Sequence, residues 1–187
     1  MKIGIDISQI AYEGTGVAQY TRSLVESLLK IDKENEYILF FSSFRKNFKS
    51  SIFSPSSSFG EAGNFKSNSN VKIKKFKFPS SLLDLLWNKF HIFPIEWLIG
   101  DIDVFISSDW TQPPTVKAKK ATILYDLIVY KYKNETDGKI VSVQRRRLKW
   151  VKKECDYVIC ISESTKKDAI EILGIDKKKI TTIYPGI

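Results

Sequence analysis

Apolar residues along this chain fall into two alternating patterns. Short continuous runs are bounded by polar or turn residues, and between them lie stretches in which apolar side chains recur every three or four positions. The first run, Lys2–Ile7, leads through a glycine-bearing loop to Val17–Leu29, where Val17, Tyr20, Leu24, Leu28 and Leu29 share helical spacing. Glu36–Phe41 predicts a second strand. Val71–Phe76 predicts a third, and its interleaved Lys72, Lys74 and Lys75 predict one wet face near a sheet edge. Ser81–Phe93 reads as a helix broken at Pro94. Further strands are predicted at Asp103–Ser107, Ala121–Leu124, Tyr157–Ile161 and Ile180–Tyr184, with helices at Lys139–Lys153 and Ser164–Leu173, the latter ending at Gly174. Strands separated by helices build βαβ units, so the predicted fold is α/β: a Rossmann-like, mostly parallel sheet with helices on both faces.

The chain of 187 residues fits one such domain, 1–187. Between Ser42 and Asn70 lie ten serines with Pro55, Gly60 and Gly63, a polar stretch too long for an ordinary connection, which predicts a flexible loop at about 42–70. The last strand runs into Pro185-Gly186, a turn signal that predicts a further domain beyond it.

Composition narrows the function. Hydrophobic residues make up 43% and charged residues 27%, which argues against disorder across the whole chain. The net charge of +9 favours anionic partners: nucleic acid, phosphate-bearing small molecules or an anionic membrane surface. Eight Lys and Arg against one acid (Glu61) fall between Arg45 and Lys77, and more lie in the Lys139–Lys153 helix. This split, with no nucleic-acid module in sight, argues against nucleic acid. Two cysteines, Cys155 and Cys160, exclude a disulfide scaffold, point to a reducing compartment and read as buried small apolar residues. The single histidine, His91, leaves a His-rich metal site or a Ser/His/Asp triad without partners. The apolar stretch from Ser81 to Gly100 is interrupted by Asp84, Asn88, Lys89, His91, Pro94 and Glu96 and cannot span a bilayer as a simple helix. Asp101-Ile102-Asp103 precedes its strand, at the end away from the ligand face, and reads as structural.

Five segments could carry chemistry. Glu13-Gly14-Thr15-Gly16-Val17 opens the first helix, where glycines expose backbone amides and the helix terminus favours a phosphate or carboxylate; a tight βα turn explains it equally. It is neither G-x-G-x-x-G nor a Walker A loop. Tyr125 and Asp126 end a strand, where a carboxylate can orient a hydroxyl or transfer a proton, or simply cap the next turn. Ser162 and Glu163 end another strand and start a helix, a composition that capping alone explains. In the fourth, Gln144–Lys153, consecutive arginines point in different directions: Val143, Arg147 and Trp150 share one face, Leu148 and Val151 face the core, and most of the charges read as a solvated basic face. The fifth sets Lys74, Lys75 and Lys77 beside the Trp87-bearing apolar helix, which suits an anionic membrane or acceptor face as well as it suits core packing.

Taken together, Met1-Lys-Ile-Gly-Ile-Asp6, Gly14-Thr-Gly-Val-Ala-Gln-Tyr-Thr21, Tyr125-Asp-Leu127, Cys155-Asp-Tyr-Val-Ile-Cys-Ile-Ser-Glu-Ser-Thr-Lys166 and Ile180–Gly186 resemble the N-terminal domain of a family 4 glycosyltransferase with the GT-B fold. The resemblance implies a retaining transferase of the hexosyltransferase type (EC 2.4). It moves a sugar from a nucleotide diphosphate sugar to a glycan or lipid-linked acceptor and needs no metal and no cofactor beyond that co-substrate. It implies that Gly14, Thr15 and Gly16 approach the phosphates, that Tyr125 and Asp126 face the reacting sugar, and that Ser162 and Glu163 line the neighbouring strand end. A donor-binding C-terminal domain, in cis or in trans, is then absent from this chain, which alone is expected to be inactive. The implied location is cytoplasmic, or peripheral on the inner face of a membrane. The alternative is a binding module or split-enzyme subunit whose basic and aromatic face holds anionic lipid or polymer. Two positions depart from the family pattern: Tyr125 stands where His is usual, and Gln19 where Arg is common. A phenol hydrogen-bonds but titrates near pH 10, which weakens an acid or base role at position 125.

Overall fold

A computed structural model describes residues 1–48 and 70–186, so the predicted Ser-rich loop lies for residues 49–69 outside the described residues. The chain runs β1 (Lys2–Asp6), α1 (Gly16–Ile31), β2 (Glu36–Ser42), β3 (Val71–Phe76), α2 (Ser80–Leu83), α3 (Glu96–Ile99), β4 (Val104–Ser107), β5 (Lys119–Leu124), α4 (Ile128–Lys131), α5 (Gly138–Glu154), β6 (Tyr157–Cys160), α6 (Glu163–Leu173) and β7 (Ile180–Thr182). These strands form one sheet in the order β3-β2-β1-β4-β5-β6-β7, and every pairing is parallel. The lysine-bearing strand does lie at an edge.

Period-two alternation assigns each strand residue to one side of the sheet. On one side Ile5, Tyr37 and Leu39 pack under α1 through Val25 and Leu29. On the other, Ile38, Phe40 and Phe105 pack against Leu83, Trp87 and Ile99. Farther along, Leu124, Val158 and Cys160 bury Leu148 and Val151 of α5 with Ala169 and Leu173 of α6. Both thiols are buried and pushed up to about 12 by desolvation, as befits small core residues.

Gly4 is where the second layer comes closest. A Cβ there would stand 2.8 Å from Phe105 Cδ2 and 3.0 Å from Ile99 Cδ1. Gly4→Val is therefore expected to cost roughly 1–3 kcal/mol through overpacking. Thermal denaturation checks this, and an unchanged midpoint would show that Phe105 and Ile99 yield freely.

The single helix expected over Ser81–Phe93 is not formed. After α2 the backbone widens into one π turn over Asp84–Lys89, with Phe90 N–H donating to Leu85 O. Asn88 sits at its centre, buried, donating to Asp84 Oδ1 and Trp110 O and accepting from Gln112 N. Those tertiary bonds outweigh the local preference for an α-helix, as is common at π turns. His91 (φ 54°) and Phe93 (φ 71°) then take left-handed conformations that end the helix before Pro94. Asp103 is structural as expected, its Oδ2 accepting the Lys2 amide at 2.7 Å.

Candidate active site

In an open parallel sheet ligands bind beyond the carboxyl ends of the strands, at the point where the strand order reverses. Here that point lies between β1 and β4. Its floor is a buried polar web. Asp6, at the end of β1, accepts from Ser8 N at 2.9 Å and Ser108 Oγ at 3.2 Å, and burial pushes its carboxyl above the usual range. Ser107 Oγ lies 2.6 Å from Gln112 Oε1 and 2.8 Å from Thr122 Oγ1. Arg147 of α5, wholly buried, donates to Thr122 Oγ1 at 2.8 Å and to Ile123 O at 3.0 Å. Asp109, following β4, has its Oδ1 4.0 Å from the Arg147 guanidinium and is pushed up by burial, a shift that Arg147 opposes.

The helix α5 was expected to carry mostly solvated charge, and at two positions it does not. Arg147 belongs to the core, and Arg146 pairs with Asp84 at 2.5 Å. Val143, Arg147 and Val151 are all buried at intervals of four, so the arginine occupies the stripe on which apolar residues pack. That spacing was the available signal for Arg147. For Asp6 it was an acid closing an apolar strand, and for Asp109 a Ser-Ser-Asp run after another strand.

Above this floor the loops converge on the carboxyl edge. Gly14 (φ 87°) turns the chain in a conformation that side chains rarely adopt, and neither Gly14 nor Gly16 has an atom within 4 Å of its Cβ direction. Thr15 caps α1, its Oγ1 accepting from Ala18 N at 3.2 Å. The amides of Gly16 and Val17, first in the helix, have no intrahelical carbonyl to bond.

The other expected site residues occupy distinct places. Asp126 is exposed just after β5 and bonds the turn that leads into α4, accepting from Ile128 N at 3.0 Å. Tyr125, expected to face the reacting sugar, is instead buried. Its phenol lies 3.0 Å from Thr21 Oγ1 of α1, its ring stands edge-on to Tyr20, and burial pushes its hydroxyl well above the usual range. Aromatic packing holds it against the inner face of α1 and not at the rim. Ser162 caps α6, accepting from Thr165 N at 3.1 Å, while Glu163 is exposed and pairs with Lys166 at 3.5 Å.

Lys74, Lys75 and Lys77 are exposed, but Trp87 is not on their face. It is 1% exposed, its indole N–H donating to Phe93 O at 2.9 Å and its ring packed on Phe40 in the core beside Leu83. A cavity of about 250 Å³ opens beside the floor, lined by Asp6, Ser8, Ser42, Ser80, Leu83 and Trp110 among others. Among the described residues no three His, Cys, Asp or Glu side chains gather as metal ligands, and no helix is long and apolar enough to cross a membrane.

No curated protein matches the chain at a significant level. The sequence profile of Glycosyltransferase Family 4 matches residues 14–187, from the glycine loop through the carboxyl-edge loops that follow β4, β5 and β6. Sheet order, glycine loop and profile thus agree, and the chain belongs to Glycosyltransferase Family 4.

Proposed function

We propose that this chain is the acceptor-side half of a retaining, hexosyltransferase-type enzyme (EC 2.4). It would act on a nucleotide diphosphate sugar and a glycan or lipid-linked acceptor, with a donor-binding domain completing the cleft in cis or in trans. The observation that carries the reading is the Gly14–Gly16 turn, which opens onto the switch-point edge with no side chain in the way. Departure of a nucleoside diphosphate leaves negative charge, best met by dipoles already in place, such as the amides and positive end of the 16-residue α1.

Asp126, exposed on the same edge, orients a sugar hydroxyl, and Ser162 and Glu163 border the site. Tyr125 acts from behind by bracing α1 through Thr21. The cavity beside Asp6, polar at its floor with Leu83 and Trp110 in its wall, takes the acceptor. No metal enters this scheme, so transfer is expected to survive chelation.

Half a cleft does not catalyse. The purified chain is expected to transfer no sugar from a panel of nucleotide diphosphate sugars, and transfer is expected to appear when the donor-binding half is supplied. Turnover by the chain alone would overturn the division of labour. Silence after a matched second half is added would overturn the activity.

A further inference from the structure

A second cavity, of about 230 Å³, opens at the carboxyl ends of β2 and β3. Three lysines line it, Lys46, Lys75 and Lys77, together with Ser43, Asn47 and Phe48 among others. No acid does, and among the described residues no carboxylate lies within ion-pair distance of the three ammonium groups. Aromatic rings attend two of them instead. Lys75 Nζ lies 4.7 Å from the centre of the Phe48 ring, which stands edge-on to Phe41 at 5.2 Å, and Lys46 Nζ lies 5.3 Å from that of Tyr12. A ring attracts a cation without neutralising it. Like charges thus converge on one concavity with apolar walls, an arrangement that concentrates anions.

The donor set selects the kind of anion. Ser43 Oγ accepts from Lys46 N at 3.1 Å, which leaves its O–H proton to donate, and the Asn47 side chain adds an amide donor. A single carboxylate charge needs only one ammonium. A phosphate group, with up to about two charges and three acceptor oxygens on one centre, engages several ammonium and hydroxyl donors at once. The pocket also adjoins the cavity beside Asp6. Tyr12 lines that cavity while Lys46, over its ring, lines this one, and the consecutive Ser42 and Ser43 divide between the two. We propose that Lys46, Lys75 and Lys77 hold a phosphate group carried by the acceptor, whose remainder passes Tyr12 into the cavity lined by Asp6 and Trp110. Seating the acceptor there rests on the role proposed above for that cavity; the phosphate pocket stands without it.

The test is calorimetric titration of the chain with pyrophosphate. Saturable binding at low salt, weakened by added salt, is expected. Lys46→Ala, Lys75→Ala and Lys77→Ala together are expected to weaken it about tenfold or more. Lys72→Ala with Lys74→Ala removes charge from the same strand on the opposite side of the sheet, and is expected to change it by less than about twofold. Melting midpoints show that each variant folds. No saturable binding would overturn the pocket, as would equal weakening by both lysine variants. Gly16→Val is expected to retain the lysine-dependent binding, so a failure of the glycine-loop reading is seen separately. Loss in Gly16→Val with the triple variant unaffected would place the phosphate at the glycine loop and overturn the pocket equally. Hexose monophosphates and geranyl diphosphate then test the acceptor assignment. A hexose monophosphate that binds about tenfold tighter than inorganic phosphate marks a soluble acceptor, and a like gain of geranyl diphosphate alone over pyrophosphate marks a lipid-borne one. Either gain is expected to vanish in Trp110→Ala while pyrophosphate binding persists. No gain from any of these probes would overturn the acceptor assignment.

Discussion

Replacing Arg147 with alanine is expected to destabilise the domain by about 3–5 kcal/mol, the range for breaking a buried charge network from one side. The guanidinium is wholly buried, and its donors reach Thr122, Ile123 O and, at 3.4 Å, Gln144. Removing it leaves those acceptors dry and opens a cavity beneath the switch point. For a chain of this size the melting midpoint should fall on the order of 10 °C. Arg147→Lys is not expected to rescue it, because a single ammonium cannot reproduce a planar fork that bonds several acceptors at once. Asp109→Asn should cost much less: its carboxylate lies 4.0 Å away, and its side chain is 28% exposed. Thermal unfolding followed by circular dichroism checks the order. Midpoints for the Ala and Asn variants within two degrees of each other, an interval below one kcal/mol on the same scale, would refute the role given to the guanidinium.

The second large effect is on transfer and not on stability. Gly16→Val in the completed enzyme is expected to slow kcat/KM by about a hundredfold, roughly 2.7 kcal/mol of transition-state stabilisation. The melting midpoint should barely move. Position 16 does not need a left-handed backbone, and the space around it is open, so the fold tolerates a branched side chain. A diphosphate seated against the α1 amides would not. Gly14→Val differs in kind, since its φ of 87° makes any side chain strained before a ligand arrives. If Gly16→Val were as active as wild type, the phosphate would have to lie elsewhere along the edge.

Periodicity alone predicted the strands and the long helices because their apolar spacing is regular and their ends carry local signals. Thr15, Asp137 and Ser162 cap helices, and Gly174 ends one in a left-handed conformation. Four short elements escaped that reading: the 3-10 turns Ser8–Ala11 and Lys177–Lys179, α3 and α4. With three or four residues each, they are too short to show a period. The π turn escaped because its cause is tertiary: Asn88 reaches Trp110 and Gln112 more than twenty residues away.

At the candidate site the rim was legible, since glycines, capping residues and strand-end acids announce themselves locally. The floor was not. Arg147 was hidden in a run with the exposed Arg145 and the half-buried Arg146, and Asp6 gains its meaning only when Ser108 arrives from the end of the neighbouring strand. Tyr125 was read by its position in a motif, but burial against Tyr20 decides what it touches.

The central position of β1 has a kinetic consequence. This strand is the first segment of the chain, yet one of its two neighbours is β4, and the Lys2–Asp103 bond spans 101 residues. Closing so large a loop must precede the reward of pairing, so the seam between β1 and β4 carries a high entropic barrier. The crevice proposed to hold substrate is therefore the place where the folding chain stays open longest. A ribosome must release about a hundred residues before the middle of the sheet can be sealed on both sides.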